Sequence, residues 1–189
     1  MKSKNLFGFL INPFTRIAGW QAFGIGLLCV VVMGVLGSFG GVAYDGVIDM
    51  HLMHLSLEKS LLFLGIDVAF LVLVMWITAM IVSKTYRFID ILGTMTLAKA
   101  PLIVLAIAGF FTTTPDMKAI YSDPYVIFSS VSFVVFMVLT MPIIVWNIAL
   151  MYNALKVSCD VKGSKLTIAF IVALFVAEVL SKIVLYVIA

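Results

Sequence analysis

The sequence predicts an all-α integral membrane protein, a bundle of five transmembrane helices with a cytoplasmic N-terminus and a C-terminus outside. Three observations carry that expectation. Apolar residues make up 64% of the 189 and charged residues only 11%, against about 45–50% and about 25% in an ordinary soluble domain. The mean hydropathy of +1.24 points the same way. The apolar residues also gather into five stretches of about 20 residues, the length a bilayer core of about 30 Å requires. Finally, the basic residues are sorted by side of those stretches. With 12 basic and 9 acidic side chains, a soluble fold is unable to cover so much apolar surface. A soluble globular protein, a disordered chain and a free nucleic-acid binder are excluded. The net charge of +3 follows membrane topology and does not signal a nucleic-acid partner.

Residues 1–17 form an N-terminal arm. From Asn5 to Ile17 it mixes aromatics with cations, and it either lies flat at the cytoplasmic interface or is an apolar lead-in anchored by Lys2, Lys4 and Arg16. A signal peptide is not expected, because Asn12-Pro13 interrupts the short apolar run and no small-residue cleavage site follows. Residues 18–189 form one membrane domain with spans at 18–40, 60–83, 91–111, 125–152 and 167–188. The arm, loop 84–90 and loop 153–166 carry Lys2, Lys4, Arg16, Lys84, Arg87, Lys156, Lys162 and Lys165. The opposite loops, 41–59 and 112–124, carry only Lys59 and Lys118. The positive-inside rule therefore places the arm in the cytoplasm. The third span is weak, because Lys99 at roughly +3 kcal/mol offsets most of its apolar gain. It depends on packing against its neighbours, with a re-entrant hairpin as the alternative.

Four ionisable residues sit inside the spans: Asp67, Lys99, Glu178 and Lys182. Each costs about 2.5–3.5 kcal/mol near the bilayer centre, so such groups face the bundle and find partners. Matching them by depth gives two opposite-charge pairs, Asp67 with Lys182 and Lys99 with Glu178. Glu178 and Lys182 are also i,i+4 neighbours and neutralise each other in a competing arrangement. The set serves either as buried structural pairs or as a proton or ion relay.

Pro101 and Pro142 lie inside spans and are followed by similar apolar segments, the pattern of an internal repeat, although five spans do not split into equal halves. Glycines crowd the first span, and Gly37 and Gly41 give a GxxxG spacing for close helix packing, within the chain or in a homodimer. His51, His54 and Glu58 share one helical face, a candidate divalent-metal set without an evident fourth ligand; an interfacial amphipathic turn is the plainer reading. Cys29 and Cys159 are expected to be unpaired thiols at different depths. P-loop, dinucleotide-binding, HExxH and GxSxG motifs are absent from the sequence, so neither catalytic residues nor a cofactor is expected.

The run from Asp90 through Gly93, Thr94, Thr96 and Lys99 to Pro101-Leu102-Ile103-Val104 resembles the core of the Yip1-like membrane protein family. The stretch from Trp146 through Leu155 to the Lys162-Gly163-Ser164 turn is similar to that family's closing segment, and Asn12-Pro13-Phe14 to the lead-in of its bacterial members. Lys99 departs from the pattern. The resemblance implies five spans, a cytoplasmic N-terminus, a short non-cytoplasmic tail and membrane residence; a bacterial inner membrane and no catalysis are expected of the chain. The expected role is a membrane-organising or partner-binding component, its partners being the lipid bilayer, other membrane proteins or a second copy. The alternative is a small transporter using Asp67, Lys99, Glu178 and Lys182. An organiser needs its buried charges paired, whereas a carrier needs one facing a polar cavity.

Overall fold

The computed structural model describes residues 6–115 and 122–188. Lys2, Lys4 and Lys118, used above to assign the sides, lie outside the described residues. The chain runs through α1 (Leu6–Ile11), a 3-10 turn (Pro13–Thr15) and α2 (Gly19–Gly40). A two-residue hairpin follows, β1 (Val42–Ala43) with β2 (His51–Leu52), then α3 (Leu57–Val82). The third span is α4 (Phe88–Ala98), a 3-10 turn (Ala100–Leu102) and α5 (Ile103–Gly109). After a further 3-10 stretch (Pro124–Ser129) come α6 (Val131–Cys159) and α7 (Ser164–Ile188). Five helical runs are long and apolar enough to cross a membrane, the third being Phe88–Gly109.

Capping chemistry sets the ends. Ser56 accepts from the backbone N–H of Lys59 at 3.3 Å, so α3 starts three residues before the expected 60. The fourth span, expected at 125–152, is displaced to Val131–Cys159. Asp123 caps the 3-10 stretch through Tyr125 N–H at 3.0 Å, and Ser130 caps α6 through Phe133 N–H at 3.4 Å. At its other end α6 continues past Asn153 because Ala154, Leu155 and Cys159 face the core. It stops where Asp160 takes the left-handed conformation, φ 48°, which short polar side chains tolerate.

The third span is the most deeply buried of the five. It packs against α2, α3 and α6, which is the support its weak hydropathy requires. Lys99, Leu102 and Ile103 all keep right-handed helical angles through the 3-10 turn. The run therefore continues in one direction, and the hairpin alternative for it is corrected. Its hydroxyls cost little at depth: Thr94 donates to the Asp90 carbonyl and Thr96 to that of Leu92, both at 2.7 Å. Pro142 lies inside an unbroken α6, while Pro101 sits in the 3-10 turn, so the two proline segments do not share a local structure.

The outward faces are apolar. On α6, Val131, Val135, Val138, Met141 and Val145 recur every three or four residues and are all exposed. So large an apolar surface on a protein with so few charges is what lipid covers. Exposed Trp20 and Tyr186 lie near helix ends, where an interfacial belt places such rings.

Candidate functional site

The hairpin between α2 and α3 builds the site. Gly41 ends α2 at φ 71°, where its N–H reaches back to the Gly37 carbonyl. Val42 then pairs with Leu52 and Ala43 with His51. The connecting residues do not stay at the surface. Val42, Ala43, Tyr44 and Val47 are buried, and the Tyr44 hydroxyl donates to the Leu102 carbonyl in the third span at 2.8 Å. The hairpin thus folds back into the helix bundle. Irregular backbone is tolerated at that depth because it is enclosed by protein.

Its main chain meets the buried charges. Lys99, 1% exposed, donates to the carbonyl of Val47. The N–H of Ile48 donates to Glu178 Oε2 at 2.9 Å. These are the two ends of one peptide group. Lys99 on the third span and Glu178 on α7 therefore grip the same peptide unit from opposite sides, cation on oxygen and anion on hydrogen. Gly46 lies hard against the Glu178 carboxylate, leaving no space for a Cβ.

Lys182 forms an ion pair with Asp49 of the hairpin and lies 3.6 Å from Glu178. Partial burial raises the Asp49 pKa, but the hydrogen bonds from Lys182 and from Met50 N–H, with the nearby charges, outweigh it and leave the net value low. Asp67, fully buried on α3, accepts from the Ser181 hydroxyl. Among the described residues its second oxygen has no hydrogen-bond partner, nor do the side-chain amide atoms of buried Asn147 on α6.

Both expected pairs are corrected. Asp67 and Lys182 are not in contact, because successive residues on a helix point about 100° apart: Ser181 faces α3 and Lys182 reaches the hairpin. Lys99 and Glu178 are linked through the Val47–Ile48 peptide and not directly. The i,i+4 contact of Glu178 with Lys182 is present. Depth matching found the right neighbourhood but treated only side chains as partners. It missed Asp49, Ser181 and Tyr44. The available signal is the apolar Val42, Ala43, Tyr44, Val47 and Ile48 inside a stretch read as a loop.

Gly37 and Gly41 also serve the hairpin. A Cβ on Gly37 would lie 2.7 Å from the Val42 carbonyl, and one on Gly41 would lie 2.9 Å from the His54 ring. The helix-to-helix approach is made elsewhere in α2, at Gly26 and Gly40. The proposed metal face is overturned: His51 is in β2, and α3 begins only at Leu57, so helical spacing does not join His51 to His54 and Glu58. Asp45, Asp49 and His51 do bring ligand atoms within 4.8 Å of one another. There His51 Nδ1 contacts Asp45 at 2.8 Å, and the Lys182 ammonium already sits on Asp49. Both cysteines are free.

A cavity of about 510 Å³ is lined by Asp45, Lys182 and Tyr186 among others; Asp67, Lys99 and Glu178 do not line it. A second, of about 360 Å³, is apolar and runs between the N-terminal arm, α2, the third span and α6. No family model, curated protein or solved structure matches the chain.

Proposed function

We propose that this chain is a non-catalytic, multi-pass protein of a bacterial inner membrane that organises the bilayer or binds membrane partners, proteins or lipids, in the manner of the Yip1-like family. One observation supports this over transport. The ionisable groups of the spans end on partners that hold the fold together: Lys99 and Glu178 on one hairpin peptide, Lys182 on Asp49 and Asp67 on Ser181. Charges committed in this way stabilise a helix arrangement and are poorly placed to exchange a cargo. The resemblance of residues 90–104 to the Yip1-like core points the same way, as does the sorting of Lys84, Arg87, Lys156, Lys162 and Lys165 to one side. The test is flux. Protein reconstituted in liposomes and driven by a potential or a pH gradient is expected to pass protons and alkali cations no faster than protein-free vesicles.

A second reading rests on Asp67. Its unpartnered oxygen, fully buried, favours a carboxyl that takes up and releases a proton, as in a small carrier. Flux above the vesicle background that Asp67→Asn abolishes would replace the organiser reading with this one.

A further inference from the structure

The apolar groove of about 360 Å³ lies outside the charge cluster. Phe9 and Ile17 stand at one end, and Cys29, Pro101 and Val104 at the other, with Trp146 in the wall. The wall exposes no indole N–H, since Trp146 Nε1 donates to the Leu10 carbonyl at 2.9 Å. Leu10, Ile25 and Val104 line the groove and are also exposed. It therefore opens onto the apolar outer surface of the helices. Its inner end lies about one leaflet deep. Cys29 is ten residues along α2 from Gly19, about 15 Å at about 1.5 Å per residue, half of a core about 30 Å thick. The groove thus runs from the arm to mid-membrane, where the 3-10 turn at Pro101 interrupts the third span. At the arm end the exposed Arg16 guanidinium lies 5.8 Å from the centre of the Phe9 ring, at the rim. Trp20, also exposed, follows at the start of α2.

We propose that this groove holds one acyl chain of an anionic glycerophospholipid, with the headgroup phosphate beside Arg16. The inference names the lipid class for the membrane-binding reading above and rests on it. An aqueous solute finds no polar group in this groove, and a protein partner has no charge pattern there to read. A lipid tail needs only continuity with the bilayer and one cation at headgroup level.

The experiment uses the full chain in phosphatidylcholine vesicles containing a minor fraction of phosphatidylglycerol with a mid-chain diazirine. Irradiation followed by peptide mapping is expected to place adducts on residues 25–29 and 97–104, above the exposed face of α6 at 131–145. Cys29→Trp, which fills the groove, is expected to remove that enrichment. Should this variant fail to fold, alkylating Cys29 with a maleimide in a Cys159→Ala background places the same plug in folded protein. Moving the diazirine to phosphatidylcholine, or changing Arg16 to Gln, is expected to lower the yield about fivefold, the effect of about 1 kcal/mol from one cation beside an anionic headgroup. Adducts spread evenly over the lipid-facing helices overturn the site. Equal yields from the two lipids overturn the headgroup assignment. Because the readout is crosslinking, it is separate from the flux assay: a flux would remove the organiser reading without altering the adduct map.

Discussion

The Val47–Ile48 peptide group is held at its oxygen by Lys99 and at its N–H by Glu178, so each charge is satisfied by a dipole that the other polarises. Removing either partner leaves the remaining charge in a low-dielectric interior. Lys99→Met or Glu178→Leu alone is expected to cost roughly 3–5 kcal/mol in a detergent unfolding assay. The double variant is expected to recover part of this and not all, because the stranded peptide group still carries a penalty of about 1–3 kcal/mol. Full additivity in the double-mutant cycle would mean that the two residues do not share the peptide. Asp49 supplies a pH-dependent contact beside them. Its folded-state pKa lies below its unfolded value of about 3.9. The Lys182 pair therefore contributes fully above that value, and its contribution is lost as the pH falls through the folded pKa. Asp49→Asn is expected to lower the melting temperature at neutral pH and to match the parent once acid protonates Asp49 in the folded protein. A deficit that is constant across the acid range would contradict an ion pair there.

Glycines mark two places of close approach: α2 against the third span, and the hairpin against α2 and Glu178. In α2, Gly26 faces the backbone of α4, where an added Cβ would lie 2.5 Å from Leu97 N and 2.8 Å from the Thr96 carbonyl carbon, whereas Gly24 faces open space. Gly26→Ala is expected to destabilise the protein by about 1–3 kcal/mol through overpacking. Gly24→Ala, two residues away, is expected to be neutral or to gain up to about 1 kcal/mol from helix propensity. Equal melting of the two variants in detergent would remove the close approach. The spans were legible in the sequence because bilayer thickness dictates their length and composition; even the reliance of the third span on its neighbours could be read from Lys99 and Pro101. The hairpin was not legible. Its insertion depends on contacts from Leu102, Glu178 and Lys182, far along the chain, and pairing charges by depth leaves out the main chain as a partner. Gly37 and Gly41 were recognised as packing positions, but a spacing motif does not say which surface comes close.

Over the whole molecule, we propose opposite sides for the two ends, from the sorted loop charges and an odd number of candidate spans. In a background lacking Cys29 and Cys159, Thr85→Cys and Lys162→Cys are expected to resist an impermeant thiol reagent in intact cells, while Met53→Cys and Asp123→Cys react. Labelling of Lys162→Cys from outside would reverse the orientation. The central claim is that Lys99, Glu178 and Lys182, three of the four charges within the spans, hold the hairpin inside the bundle. Its most direct test is amide hydrogen exchange at Ile48, by NMR on ¹⁵N-labelled protein in nanodiscs. In the parent this amide is expected to exchange as slowly as those in the middle of α3, and Glu178→Leu is expected to speed it by orders of magnitude while α3 stays protected. Exchange in the parent at the rate of a solvated loop, or protection that survives Glu178→Leu, would contradict it.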